Sequence, residues 1–160
     1  MDISYLSDKY YVRRLNTDDV DAIYNLCCEN HIFYKYHPPF VTKESIAEDM
    51  SALPPGKDFD DKHYIGFFDN NILIAVMDLI DGYPDKNTAH IGFFMVDVKY
   101  QGKGIGSAII QHIICVLKEK GYIKIRLGVD KENPQSYSFW RKNGFEVVDQ
   151  REYVIMEYLL

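Results

Sequence analysis

The 160-residue chain has only three cysteines, Cys27, Cys28 and Cys115, with no recurring spacing. That excludes a disulfide framework and a paired-cysteine zinc site. All three fall where helices are expected, so they read as small buried apolar residues in a reducing compartment. Basic residues are in deficit: 18 Lys and Arg against 24 Asp and Glu leave a formal net charge of −6. A sequence-independent grip on nucleic acid or on an anionic membrane needs a basic surface, so this balance argues against both. No apolar run reaches the ~20 residues of a membrane-spanning helix. The first residues, MDISYLSDKYYVRR, lack the apolar core of a secretory signal. A cytoplasmic location is the expectation. Repeats, low-complexity tracts and long linkers are missing too, which leaves one domain, expected over residues 10–160.

Apolar residues, by contrast, make up 47% of the chain, enough for an ordinary globular core at this length. Tyr is the most frequent aromatic, with 13 residues against 9 Phe and 1 Trp. Tyr suits half-wet pocket walls or interfaces, and the rim of a core equally.

The pattern along the chain is one of short alternating elements. Tyr10–Leu15 reads as a strand. Asn16 or Thr17 then caps a helix with Val20, Ile23 and Cys27 on one face. The aromatic stretch His31–Phe40, ending in Pro38-Pro39, reads as a loop. Thr42 caps a helix carrying Ile46, Met50 and Leu53, stopped by Pro54-Pro55-Gly56. Strands His63–Phe68 and Ile72–Ile80 flank Asp69-Asn70-Asn71, a hairpin signal. Ile91–Val98 is apolar on both faces and reads as a central strand. A glycine-rich loop leads into a helix ending at Lys120-Gly121, then a strand to Val129, a helix opened by Asn133-Pro134, and two closing strands near Phe145–Val148 and Tyr153–Leu159. The strand–helix–strand over 91–130 is a parallel βαβ unit, and the hairpin adds antiparallel strands. The expected fold is α/β, a mixed, mostly antiparallel sheet with helices on both faces.

The informative segment is Val96-Asp97-Val98-Lys99-Tyr100-Gln101-Gly102-Lys103-Gly104-Ile105-Gly106-Ser107. It runs from a buried strand through three glycines into a helix. Unpaired N–H groups at the helix start, with glycines that let a ligand approach the backbone, make an anion site suited to a phosphate or pyrophosphate. Neither the dinucleotide fingerprint G-x-G-x-x-G nor the P-loop G-x-x-x-x-G-K-[ST] is matched, which disfavours a redox enzyme with a dinucleotide.

Gln101-Gly102-Lys103-Gly104-Ile105-Gly106 resembles the (Gln/Arg)-x-x-Gly-x-(Gly/Ala) signature of the GNAT superfamily of N-acetyltransferases. A second block, Asn133-Pro134-Gln135-Ser136-Tyr137-Ser138-Phe139-Trp140-Arg141-Lys142-Asn143-Gly144-Phe145, resembles that family's Asn-…-Tyr-…-Gly-Phe helix at the usual distance downstream. The resemblance implies that acetyl-CoA is the co-substrate, with no metal. It places the pyrophosphate on the amides of Gln101, Gly102, Lys103, Gly104, Ile105, Gly106 and Ser107. It places the pantetheine arm along Met95, Val96 and Val98 as an added strand, with a backbone N–H polarising the thioester carbonyl. Asn133 stands where the family contacts that arm, although locally it is a helix cap. The family often has a Tyr acid where this chain has Trp140, whose indole is a donor but no usable acid near neutrality.

Tyr137, three residues earlier on the same helical face, is the nearest substitute acid. His90, at the start of the central strand, is a candidate base with a suitable intrinsic pKa, and Asp78 and Asp81 are alternatives on the preceding strand. The aromatic stretch 31–40 and the acidic stretch Asp58–Asp61 could line a pocket for a cationic amine. The resemblance thus implies acetyl transfer to a primary amine on a small molecule or peptide. No cysteine lies in either block, so direct attack in a ternary complex is expected. A homodimer stays open. A non-catalytic acyl-CoA-binding or sensing module is the alternative, favoured by Trp140.

Overall fold

A computed structural model describes all 160 residues. Seven strands form one sheet: β1 (Tyr11–Arg14), β2 (Lys62–Asp69), β3 (Ile72–Asp81), β4 (Thr88–Val96), β5 (Lys124–Val129), β6 (Glu146–Gln150) and β7 (Val154–Leu159). Their order across the sheet is β1-β2-β3-β4-β5-β7-β6. Only β4 and β5 run parallel, joined by a long helix; every other neighbour is antiparallel. The β2–β3 turn places Asn70 and Asn71 at φ 48 and 67, the left-handed pair that a two-residue hairpin requires.

Five helices cover the sheet: α1 (Val20–Cys27), α2 (His31–Tyr36), α3 (Lys43–Ser51), α4 (Ile105–Glu119) and α5 (Pro134–Lys142). On one face Ile23, Leu26 and Ile46, from α1 and α3, pack on Tyr64, Val76 and Met95. On the other, Ile109, Ile110, Ile113 and Leu117 of α4 pack on Phe67, Ala75, Met77 and Leu79. β3 is therefore buried from both sides over Ile74–Met77, which is why that stretch is apolar without a break. No helix is long and apolar enough to cross a membrane.

The structure corrects several expectations. His31–Tyr36 winds into α2 rather than a loop. The prolines restrict only the residue before them, and Phe33 anchors the turn edge-on to Phe93 at 5.9 Å. α3 ends at Ser51, which leaves Leu53 outside it. Cys115 is exposed and Cys28 only half-buried, while Cys27 is buried. Two residues on a helix turn through about 200°, so Cys115 points away from the buried face of Ile113. β4 starts at Thr88 and stops at Val96. Val98 instead sits in a 3-10 turn, 43% exposed, because the Asp97 side chain accepts the Lys99 N–H at 2.9 Å and caps that turn. Packing also begins before residue 10: Leu6, in the turn Ile3–Leu6, is fully buried in the main core.

The feature that positions the site is a split in the sheet. Parallel pairing runs only from Thr88–Lys124 to Ile91–Leu127, after which β4 and β5 part. Asp78 pairs with Phe93 and Leu79 with Ile91, so Gly92 is an extra residue, a bulge that re-aims β4 where the strands separate. The split therefore opens at Gly92.

Candidate active site

The glycine loop has no internal partner for its amides. None of the N–H groups from Gly102 to Ser107 donates to a protein acceptor; the Gln101 N–H still reaches Val98 O, and helical bonding resumes with Ala108 to Gly104 O at 2.9 Å. Gly102 and Gly104 adopt φ +74 and +77, and open space lies where a Cβ would stand. Gly104 is the helix cap and carries no side chain to satisfy the first turn. Successive amides at a positive helix end, uncovered on one side, fit a pyrophosphate.

This loop borders a cavity of about 330 Å³ that also takes in Met95, Val96, Gln101, Ile105, Ser107 and Trp140. Its wall is the free edge of β4. The Asp97 N–H donates to Ile74 O of β3 at 2.8 Å. By the two-residue alternation of a strand, Met95 faces β3 as well, while the peptide groups of Phe94 and Val96 face the split. Val96 O is already engaged, accepting from Gln101 Nε2 at 2.8 Å and from Asn30 Nδ2 at 3.4 Å. Gln101 Nε2 also donates to Asn30 Oδ1 at 2.7 Å. The motif glutamine thereby ties the loop to the α1–α2 connection and to β4.

A second cavity, of about 400 Å³, opens on the α1–α3 side of the split and shares Phe33, Phe94, Ser136 and Trp140 with the first. Its walls carry three carboxylates, Asp49, Asp78 and Asp130, with His37, His90, Tyr64 and Tyr153. Asp130 Oδ1 meets His37 Nδ1 at 2.9 Å, which joins β5 to the end of α2. Asp78 Oδ2 accepts from Lys62 Nζ at 2.7 Å, and its Oδ1 is buried with no hydrogen-bond partner. Burial pushes the Asp78 carboxyl up, against the pull of Lys62. Burial also raises Asp49, at the cavity mouth, with Lys62 and His37 opposing. His90 is driven the other way, down to about 4, by burial and then by Arg126.

Most expected co-substrate residues meet around the first cavity, and three do not. Val98 is off the strand, Lys103 turns its ammonium over the Tyr100 ring at 5.8 Å, and neither lines the cavity. Asn133 uses its side chain locally, accepting from Ser136 N at 3.1 Å and donating to Ser136 Oγ at 3.0 Å. Met95 lines the cavity, but its peptide faces β3. His90 does lie in the second cavity. Tyr137 is 42% exposed and lines neither cavity, although Trp140, three residues further on, lines both. Asp81 is held by His63 Nε2 at 2.8 Å and Tyr122 Oη at 2.9 Å, away from both cavities. Asp58–Asp61 do not reach the second cavity either; Asp61 pairs with Lys57 at 3.1 Å.

The residues that sequence reading missed are Asn30, Phe94, Asp49, Asp130 and Asn143. Asn143, at the end of α5, donates to Ser107 Oγ at 3.1 Å and so joins the two motif blocks. Its only sequence signal was a position beside Gly144. No group of three or more His, Cys, Asp or Glu side chains is arranged to hold a metal ion.

Comparison with known proteins agrees with this geometry. The spermidine N(1)-acetyltransferase of Thermoplasma acidophilum is 30% identical over 86 residues, covering 54% of this chain and 52% of that protein. The matched segment therefore spans about half of that relative. Among solved structures, the PaiA N-acetyltransferase of Thermoplasma acidophilum in complex with coenzyme A superposes with a TM-score of 0.70 at 23% identity, covering 94% of this chain and 99% of that one. An acetyltransferase from Thermus thermophilus gives a TM-score of 0.79 at 17% identity, covering 95% and 97%. The model of the acetyltransferase (GNAT) family matches residues 20–145, which include the glycine loop, the split and the helix behind it. With its uncovered loop amides and its parted β4 and β5, the chain belongs to the acetyltransferase (GNAT) family.

Proposed function

We propose that the protein transfers an acetyl group from acetyl-CoA to a primary amine by direct attack in a ternary complex. One observation carries this reading. A cavity floored by free loop amides and a cavity walled by carboxylates meet at Phe33, Phe94, Ser136 and Trp140, beside the open edge of β4. The loop amides of Gly102–Ser107 would hold the pyrophosphate, and the pantetheine arm would run along the Phe94 and Val96 peptides. The outward Phe94 N–H is placed to donate to a thioester carbonyl, a one-donor oxyanion site.

The acidic second cavity suits a cationic amine, and the name of the spermidine-acetylating relative supports that class. Neither cavity is lined by Cys27, Cys28 or Cys115, so no thiol is placed to carry the acetyl group. Trp140 offers no proton to the leaving sulfur. A thiol pKa of about 8–9 lets the thiolate depart unaided near neutrality. Tyr137 lines neither cavity and has no part in this reading.

Release of free thiol from acetyl-CoA, followed with a panel of monoamines, di- and polyamines and peptides, tests the reading. Thiol release that depends on a primary amine is the expected result. Tight CoA binding with no amine-dependent release would instead leave a non-catalytic acyl-CoA-binding module.

A further inference from the structure

We infer that Asp78 is the group that takes the proton from the acceptor ammonium, and that Lys62 is its positioning residue. The assignment rests on the acetyl-transfer reading and departs from the sequence expectation, which put His90 first. Asp78 lies on β3 and borders the acceptor cavity. Opposite it, the bulge residue Gly92 leaves its side chain room: a Cβ there would come to 3.0 Å of Asp78 Oδ2. Lys62 is not part of the cavity wall. Its side chain is 3% exposed and holds Asp78 Oδ2 at 2.7 Å, while Oδ1 has no partner in the protein. One oxygen is thus fixed by a buried cation, the other is buried and unpartnered, and the Asp78 side chain, 15% exposed, borders the cavity from which a proton would come.

The choice between the two candidates follows from what burial does to each. A general base works best with a pKa near the working pH. Burial disfavours charge, so it moves a carboxyl up toward neutrality and an imidazole away from it. The same cavity therefore strengthens Asp78 and weakens His90 as bases. Lys62 sets the limit: without its cation the carboxylate would be driven further toward the protonated form. Besides Lys62, the titratable groups around Asp78 are His63 and Tyr64 on β2, Asp49 on α3 and His90 on β4.

The Asp78 carboxylate accepts one proton from the ammonium and leaves a neutral amine. The nitrogen lone pair bonds the acetyl carbon, and the carbon–sulfur pair leaves on sulfur as thiolate. The second nitrogen proton goes to that thiolate, giving free CoA thiol, and Asp78 returns its proton to water.

The test is the pH dependence of kcat/KM for amine-dependent thiol release in the wild-type protein and in Asp78→Asn, Lys62→Met and Lys62→Arg. Asp78→Asn, close to isosteric, is expected to lower kcat by about 100-fold, the low end for a positioned base, with acetyl-CoA affinity by calorimetry unchanged. Lys62→Met is expected to move the acidic limb upward by about one pH unit or more, since an opposite charge at this range lowers a carboxyl by that amount. Lys62→Arg should restore the limb toward its wild-type position. Activity of Asp78→Asn within a few-fold of wild type overturns the assignment. So does an acidic limb that stays in place in Lys62→Met, and this second readout decides the matter if Asp78→Asn fails to fold. A wild-type protein without amine-dependent release overturns the acetyl-transfer reading itself, an outcome distinct from active variants beside an active wild type.

Discussion

Gly104 shows how much one residue carries at this site. Its φ of +77 belongs to the left-handed region, and it stands at the cap position from which the α4 amides point outward. A side chain there costs about 1–2 kcal/mol in backbone strain, and an acidic one adds negative charge where an anion is to bind. Gly104→Asp is expected to remove measurable CoA binding in calorimetry, with only a modest drop in Tm. Retained micromolar affinity would break the link between this loop and the pyrophosphate. Residue chemistry of this kind was legible in the sequence, because glycines before an apolar helix stripe have few other uses. The base was not. As letters His90 stands ahead of Asp78, because its ordinary pKa lies nearer neutrality, and only their surroundings move their protonation in opposite directions.

At the scale of elements, the site depends on two helices that are distant in sequence. Asn143, 4% exposed at the end of α5, donates to Ser107 Oγ at 3.1 Å and to Phe139 O at 2.9 Å, and it accepts from Gln111 at 3.2 Å. Asn143→Ala removes the bonds to Ser107 Oγ and Phe139 O, while Gln111, exposed to water, keeps the Asn143 backbone carbonyl at 3.3 Å. Losing the hydrogen bonds of a buried amide costs about 0.5–1.5 kcal/mol each, to be read as a lower urea midpoint. A weaker acetyl-CoA affinity should accompany it, since Ser107 closes the loop. An unchanged midpoint and affinity would show that the two blocks are not coupled. Caps were readable beforehand: Thr42 accepts from Ser45 N at 3.0 Å, and Asn16 accepts from Asp18 N at 2.8 Å. α2 was not, because its six residues have no side-chain cap at their start and are held by rings on other elements.

For the whole molecule, the arrangement of the two cavities bears on the kinetic order expected of the proposed transfer. They adjoin and no cysteine lies in either wall, which favours the proposed route with both substrates bound together. Initial rates with both substrates varied are expected to give intersecting double-reciprocal lines. Parallel lines, or an acetylated protein isolated after acetyl-CoA alone, would point to a covalent route. A maleimide should label the exposed Cys115 without loss of rate. Cys27, buried and with its thiol pushed up to about 12, should stay unlabelled in the folded protein.

The sequence alone determined the family resemblance, the βαβ unit and the anion loop, because these are local patterns: glycine placement, helix capping and apolar periodicity act within a few residues of one another. It also bounded the chemistry, through an acidic balance and cysteines outside both motif blocks. Only the tertiary structure decided where the sheet parts, since the bulge at Gly92 exists only in the pairing of β3 with β4. It alone brought Asp49, Asp78 and Asp130 into one cavity in place of the Asp58–Asp61 run, and turned Tyr137 away from both. The physical reason is range. Burial, ion pairing and the shape of a cavity are set by residues tens of positions apart, and the pull of Lys62 on Asp78 follows from strand register that the order of letters does not state.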